Sequence, residues 1–187
     1  MSDLQNLYQQ IILDHAKAKH GSANEPLGSI EQLTIPPHTH YGQSHQINTT
    51  CGDDVTLRVI VRVDPPTPEQ KSGFLATGLP VASPGDPRAT LPAVPYLNEV
   101  IWSGDGCSIS MASASVLSDL VTALPVTEAR ALLVTFREML RSRGTIEPDE
   151  EVLGDASAFG GVSRYPARVK CAMLPWVAFE AALLQLR

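Results

Sequence analysis

No run of apolar residues in this sequence approaches the roughly 20 that a membrane-spanning helix requires, so no membrane partner is expected. The start, MSDLQNLYQQ, has neither the charged n-region nor the apolar h-region of a secretory signal, and a cytoplasmic protein is expected. An excess of basic residues is missing as well. Fourteen Lys and Arg against twenty Asp and Glu give a net charge of -6, and the pI is near 5.3. Nucleic-acid binders usually present a basic face, so no nucleic-acid partner is expected either. Cysteine is scarce and odd in number, three in all, which does not suit a disulfide framework. In a reducing compartment three thiols are available for a metal, for catalysis, or for burial as small apolar groups.

With 187 residues, 43% of them hydrophobic and 18% charged, the chain has the composition of one globular domain with a core of its own. Leu4, Leu7, Tyr8, Ile11 and His15 recur at helical spacing, with Ser2 and Gln5 as a capping box. Residues 21–46 are polar and rich in Pro, Gly and His, and are expected to be mostly loop with a short strand near Leu33. Val55–Val63, VTLRVIVRV, is dense in β-branched residues and predicts a strand with Arg58 and Arg62 facing outward. About 64–95 holds eight of the fifteen prolines and is expected to be an exposed insertion, since proline at this density opposes helix and ladder alike.

A strand over Leu97–Ser103 follows, then the turn Gly104-Asp105-Gly106, then a helix opening at Cys107 with Ile109, Ala112, Val116 and Leu120 on one face. Ala129, Leu132, Leu133, Phe136, Met139 and Leu140 predict a second helix that stops at Gly144. Ser163 and Pro166 mark the start of the last helix, which carries Val169, Met173, Trp176, Phe179 and Leu183 and is expected to bend or divide at Pro175. Too few residues separate the strands for parallel crossovers, apart from the insertion. The expected class is α+β, a small antiparallel sheet packed against several helices.

Each cysteine stands at a junction between elements. Cys51 precedes Gly52-Asp53 in a turn just before a strand, Cys107 opens a helix whose N-terminal partial charge favours a thiolate, and Cys171 comes one turn after a proline start. Three thiolates leave a tetrahedral zinc ion one ligand short, and Asp53 is the candidate fourth. Asp54, Asp105 and Asp155 are weaker candidates. Such a site carries a formal charge of -2, which Arg168 and Lys170 beside Cys171 would offset. Carboxylate oxygen exchanges more readily than thiolate, so an Asp ligand points to a site built to open. By spacing alone, C-x-D with two remote cysteines is not a recognised zinc pattern.

T-C-G-D at 50–53, G-D-G-C-S-I-S-M-A-S-A-S at 104–115, P-A-R-V-K-C-A at 166–172 and L-Y-Q-Q-I-I-L-D-H at 7–15 resemble the U-type iron–sulfur cluster assembly family over nearly the whole chain. Within it the resemblance is to the SufU-type zinc-dependent sulfurtransferases. The resemblance implies the U-type fold and zinc held by Cys51, Asp53, Cys107 and Cys171. It also implies that Cys51 accepts persulfide sulfur from a cysteine desulfurase and passes it to downstream cluster assembly proteins. The scaffold branch has a histidine where this chain has Lys170, and a shorter stretch than the one that contains Ala129–Gly161 here. The insertion at 64–95 departs from the family's brief connection.

Two rivals stay open. One is a scaffold carrying a nascent iron–sulfur cluster on the same ligands, and the other is an adaptor merely stapled by zinc. His38, His40 and His45 are read as a solvated loop rather than a metal site, because nothing nearby orients the rings. No nucleophile elbow frames the serines of 108–118, which argues against a serine hydrolase.

Overall fold

The structure is a computed structural model that describes residues 3–63 and 94–187. The capping role of Ser2 and nearly all of the proline-rich insertion lie outside the described residues.

The β-branched run forms β2 (Asp54–Arg62), the middle strand of a three-stranded antiparallel sheet with β1 (Thr39–Ile47) and β3 (Tyr96–Asp105) at its sides. The class is α+β. Ile47 pairs with Asp54, and Asp54 with Asp105, so the β1–β2 turn and the exit of β3 meet at one end of the sheet. Among the described residues five helices join the sheet: α1 (Asp3–Ala18), α2 (Ser108–Val121), α3 (Val126–Arg141), the single turn α4 (Glu150–Leu153) and α5 (Pro166–Leu184). A 3-10 segment, Gly154–Arg164, links α4 to α5. The core lies between the sheet and the helices, with Leu57, Trp102, Leu117, Phe136, Phe159, Trp176 and Phe179 fully buried. Phe136 stacks on Trp176 with centroids 4.3 Å apart.

Helix α2 is buried almost all round, and its serines are why it can be. Small side chains let neighbouring backbones approach, and each hydroxyl then needs a partner. Ser113 Oγ donates to Ala172 O at 2.6 Å and accepts from the Trp176 indole at 3.1 Å. Ser118 Oγ donates to Val100 O at 2.8 Å.

Several expectations are corrected. Residues 39–47 are a strand rather than loop, so His40 and His45 sit on β1 with His38 just before it. Near Leu33 there is a 3-10 turn, Ile30–Gln32, and no strand. Arg58 does not face outward. It is buried, its Nε donating to Gln43 Oε1 at 2.8 Å and its Nη2 to Gly28 O at 2.6 Å, because the segment before β1 folds over that face of the sheet. Leu4 and Leu7 are exposed, and α1 docks through Ile12, His15 and Ala16 instead. Helix α5 continues through Pro175 without dividing, although Pro175 has no N–H to offer Cys171 O.

Gly42 on β1 is where α5 comes closest. A Cβ there would lie 1.9 Å from Ala182 O, a backbone atom that cannot turn aside. Gly42→Ala is therefore expected to destabilise the protein by about 1–3 kcal/mol, the usual range for overpacking. The urea midpoint checks this, and an unchanged midpoint would mean that α5 sits further from the sheet.

Candidate metal centre

The turn between β1 and β2 is wound around Asn48. Its carbonyl accepts from Cys51 N at 3.2 Å and from Gly52 N at 2.8 Å, and its own N–H bonds Asp53 O at 2.8 Å. Its side-chain Oδ1 takes the Thr50 N–H at 3.2 Å. Gly52 adopts φ +82, a left-handed conformation that glycine accepts without strain and that turns Asp53 back toward the sheet end. Cys51 is left exposed at the tip while Asp53, two residues on, is 4% exposed.

From the other side, β3 delivers Cys107 as the N-cap of α2. The Cys107 backbone N–H donates to Asp53 Oδ1 at 3.0 Å, which ties the two turns together. Gly106 must be small, since a Cβ there would lie 2.9 Å from Asp53 Cγ. Cys171, in the second turn of α5, is buried, and its Sγ lies 3.6 Å from Cys51 Sγ.

The sulfurs of Cys51 and Cys171 and a carboxylate oxygen of Asp53 all lie within 4.8 Å of one another. Cys107 stands beside this trio. Its sulfur receives the Ser110 hydroxyl at 3.6 Å, and its charge acts on Cys171. Arg168 and Lys170 are exposed on the first turns of α5, and the Arg168 guanidinium lies over the Tyr165 ring, 4.9 Å from its centroid. Among the described residues neither forms an ion pair with Asp53.

The electrostatics of this cluster call for a cation. Burial by itself raises the Asp53 carboxyl, yet the Cys107 N–H and the surrounding hydrogens of Cys51, Ser110 and Cys171 outweigh it and hold the group below its ordinary value. Burial, and then the neighbouring Cys51 thiol and Asp53 carboxylate, push Cys171 well above the ordinary thiol range. Four acidic groups packed this closely cannot all ionise without a compensating charge. Asp53 Oδ2 is buried with no hydrogen-bond partner, a costly state that a metal would relieve. Two thiolates on one tetrahedral zinc, each about 2.3 Å from it, lie roughly 3.8 Å apart, close to the observed sulfur separation. The donor set therefore fits a thiophilic divalent ion.

Sequence reasoning missed two residues here, Asn48 and Ser110. Asn48 is 9% exposed and its Nδ2 donates to Cys171 Sγ at 3.7 Å, while Ser110 lies fully buried beneath Cys107. Their only signal in sequence was position, three residues from a cysteine. Asn48→Ala is expected to weaken metal binding by about 10–100-fold, as loss of a buttress behind a ligand commonly does. Competition with a chromophoric chelator measures it, and unaltered affinity would remove Asn48 from the centre.

An α+β protein with three cysteines and a buried aspartate gathered at one end of a small sheet has a donor set that could hold a metal ion. The model of the NifU-like N-terminal domain matches residues 94–172. The iron–sulfur cluster assembly scaffold protein IscU of Streptococcus pyogenes serotype M1 is 27% identical over 98% of this chain and 86% of its own length. The zinc-dependent sulfurtransferase SufU of Bacillus subtilis is 28% identical over 96% of this chain and 90% of its own length. A solved structure from Fervidobacterium islandicum, described as a candidate iron–sulfur cluster assembly scaffold protein for the SUF system, superposes with a TM-score of 0.58 at 26% identity, covering 93% of this chain and 94% of that one. Over nearly its whole length this chain is similar to iron–sulfur cluster assembly proteins of the U type. Among the described residues no helix is long and apolar enough to cross a membrane.

Proposed function

We propose that this protein is a zinc-dependent sulfurtransferase that accepts persulfide sulfur from a cysteine desulfurase and relays it to cytoplasmic iron–sulfur cluster assembly. The observation that carries this reading is the asymmetry between two neighbouring sulfurs, Cys51 exposed on a turn and Cys171 buried 3.6 Å behind it. A resident ion needs anchors that stay and one group that reaches out, and this pair supplies both roles. Cys51, Asp53, Cys107 and Cys171 would hold the zinc, which as a Lewis acid keeps the thiols in thiolate form at neutral pH.

The chemistry belongs to Cys51. Its sulfur attacks the terminal sulfur of the partner's persulfide, the partner's S–S bond breaks, its cysteine leaves as thiolate, and Cys51 carries the persulfide. Asp53 assists by being an oxygen ligand, bound less firmly than sulfur, so that the centre can open. Asn48 and the N-terminus of α5 keep Cys171 in place, and the positive charges of Arg168 and Lys170 moderate the negative centre. The similarly named sulfurtransferase relative and the lysine at position 170 support this reading.

A second reading, a scaffold for a nascent cluster, draws on the exposure of Cys107 as well as Cys51 and on the relatives named as scaffolds. Metal and acid-labile sulfide analysis of protein purified without air separates the two. About one zinc per chain without sulfide supports the sulfurtransferase. Iron with matching sulfide overturns it in favour of the scaffold.

A further inference from the structure

A second group of metal-ligating side chains lies away from the cysteines, between the end of α1 and the outer half of α2. A ring nitrogen of His15, a ring nitrogen of His20 and a carboxylate oxygen of Asp119 lie within 4.8 Å of one another. His20 Nε2 and Asp119 Oδ2 are 3.6 Å apart, against roughly 3.3 Å for two ligands sharing one tetrahedral zinc at about 2.0–2.1 Å each.

The scaffold behind these groups is rigid. His20 gives its N–H to Ser115 Oγ at 3.0 Å, and its carbonyl accepts the Trp102 indole at 2.7 Å, while Gly21 holds φ +71 directly after it. His15 is 8% exposed, and its Nε2 lies 3.0 Å from Asp155 Oδ2. A carboxylate there fixes the proton on Nε2 and leaves the lone pair on Nδ1, the arrangement that commonly stands behind a metal-bound imidazole. Nδ1 meets Ser115 Oγ at 3.0 Å, and Ser115 sits one helical turn before Asp119, on the same face of α2. When Nδ1 takes a metal, the Ser115 hydroxyl keeps the His20 N–H and turns its proton to the carbonyl one turn back, as buried helical serines do. The side chains of His20 and Asp119 are about half exposed, which gives an ion a way in and leaves a position for water. Among the described residues no Lys or Arg pairs with Asp119 or Asp155, so no basic side chain competes for either carboxylate.

We propose that His15, His20 and Asp119 form a second metal site, oriented by Asp155, for a borderline divalent cation of the zinc class. Two imidazoles, one carboxylate and an open position suit such an ion and not calcium or magnesium, which require more oxygen ligands. The proposal does not depend on the sulfur-transfer reading, because none of its ligands belongs to the cysteine centre.

The test adds cobalt(II) to the zinc-loaded, full-length protein. One further equivalent is expected, with weak visible bands and no intense thiolate-to-cobalt absorption, while the zinc at the cysteines stays in place. His20→Ala and Asp119→Asn are each expected to lower cobalt affinity by about ten-fold or more without changing zinc content, and to abolish the rise in melting temperature that cobalt gives the unaltered protein. These two side chains are half exposed, so the variants fold. No second equivalent, or equal affinity in both variants, would overturn the proposal. So would a second equivalent lost only when His38 and His40 are replaced.

Discussion

Cys51→Ala is expected to reduce sulfur acceptance from a desulfurase persulfide to background. The acceptor must be a thiolate that a partner's persulfide can reach. Cys51 sits on an exposed turn, whereas Cys171 lies beneath it, in contact with Asn48 and with its thiol pushed above the ordinary range. With Cys51 removed, the nearest sulfur is the buried one. Because the side chain is exposed, the metal-free variant should keep its stability to within about 0.5 kcal/mol, as surface substitutions do, so lost transfer cannot be ascribed to unfolding. The measurement is the mass gain of one sulfur on the protein after incubation with desulfurase and cysteine. A Cys51→Ala protein that gains sulfur at the normal rate would sink the assignment. Cys107→Ala is the necessary companion, since Cys107 is also exposed. That variant should lose metal affinity but still gain sulfur at Cys51.

How far the sequence could be read depended on which side chains did the packing. The run VTLRVIV announced β2 because apolar residues, three of them β-branched, alternate into the core at Val55, Leu57, Val59 and Val61. Strand β1, THYGQSHQI, gave no such signal. Its buried positions are Thr39, Gly42 and Ser44, small or polar because α5 lies so close that nothing larger fits at Gly42. Arg58 was misjudged for a related reason, since the groups that satisfy it, Gln43 and Gly28 O, come from segments read as loop. The 3-10 segment Gly154–Arg164 buries Ala156, Ala158, Phe159 and Val162 without helical periodicity, and so left no pattern to detect. At the candidate centre the cysteines stood out as a rare residue type at element junctions, and Asp53 by its place two residues after Cys51. Asn48 and Ser110 did not, because a buttress is identified by what it touches and its residue type is common in loops and helix starts.

Removing the metal is expected to make the fold sensitive to alkali. In the metal-free protein the Cys171 thiol is held above its ordinary value of 9.0, chiefly by burial and then by the neighbouring Cys51 thiol and Asp53 carboxylate. The unfolded chain releases that proton near pH 9 while the folded chain retains it. The associated stability is thus intact below about pH 9 and falls by at most about 1.4 kcal/mol per pH unit above it, the linkage slope for one proton. Zinc reverses the situation, since the bound sulfur is already a thiolate and has no proton to lose. The zinc-loaded protein should therefore gain stability from pH 8 to about 9, where its unfolded thiols still take up protons, and hold it to pH 10, while the chelated protein melts progressively lower above about pH 9. Near neutrality, free zinc at about 1,000 times its dissociation constant adds about 4 kcal/mol, or roughly 8–16 °C in a chain of this size. On the acid side the order changes again. The thiolates must take up protons as pH falls, so the metal's contribution fades first. The carboxyl of Asp53, held below its ordinary value by the Cys107 N–H and its neighbours despite burial, supports the fold until the pH drops through that lowered value. Parallel melting curves for zinc-loaded and chelated protein between pH 8 and 10 would remove Cys171 from the metal centre, and with it the division of labour between a buried anchor and an exposed acceptor.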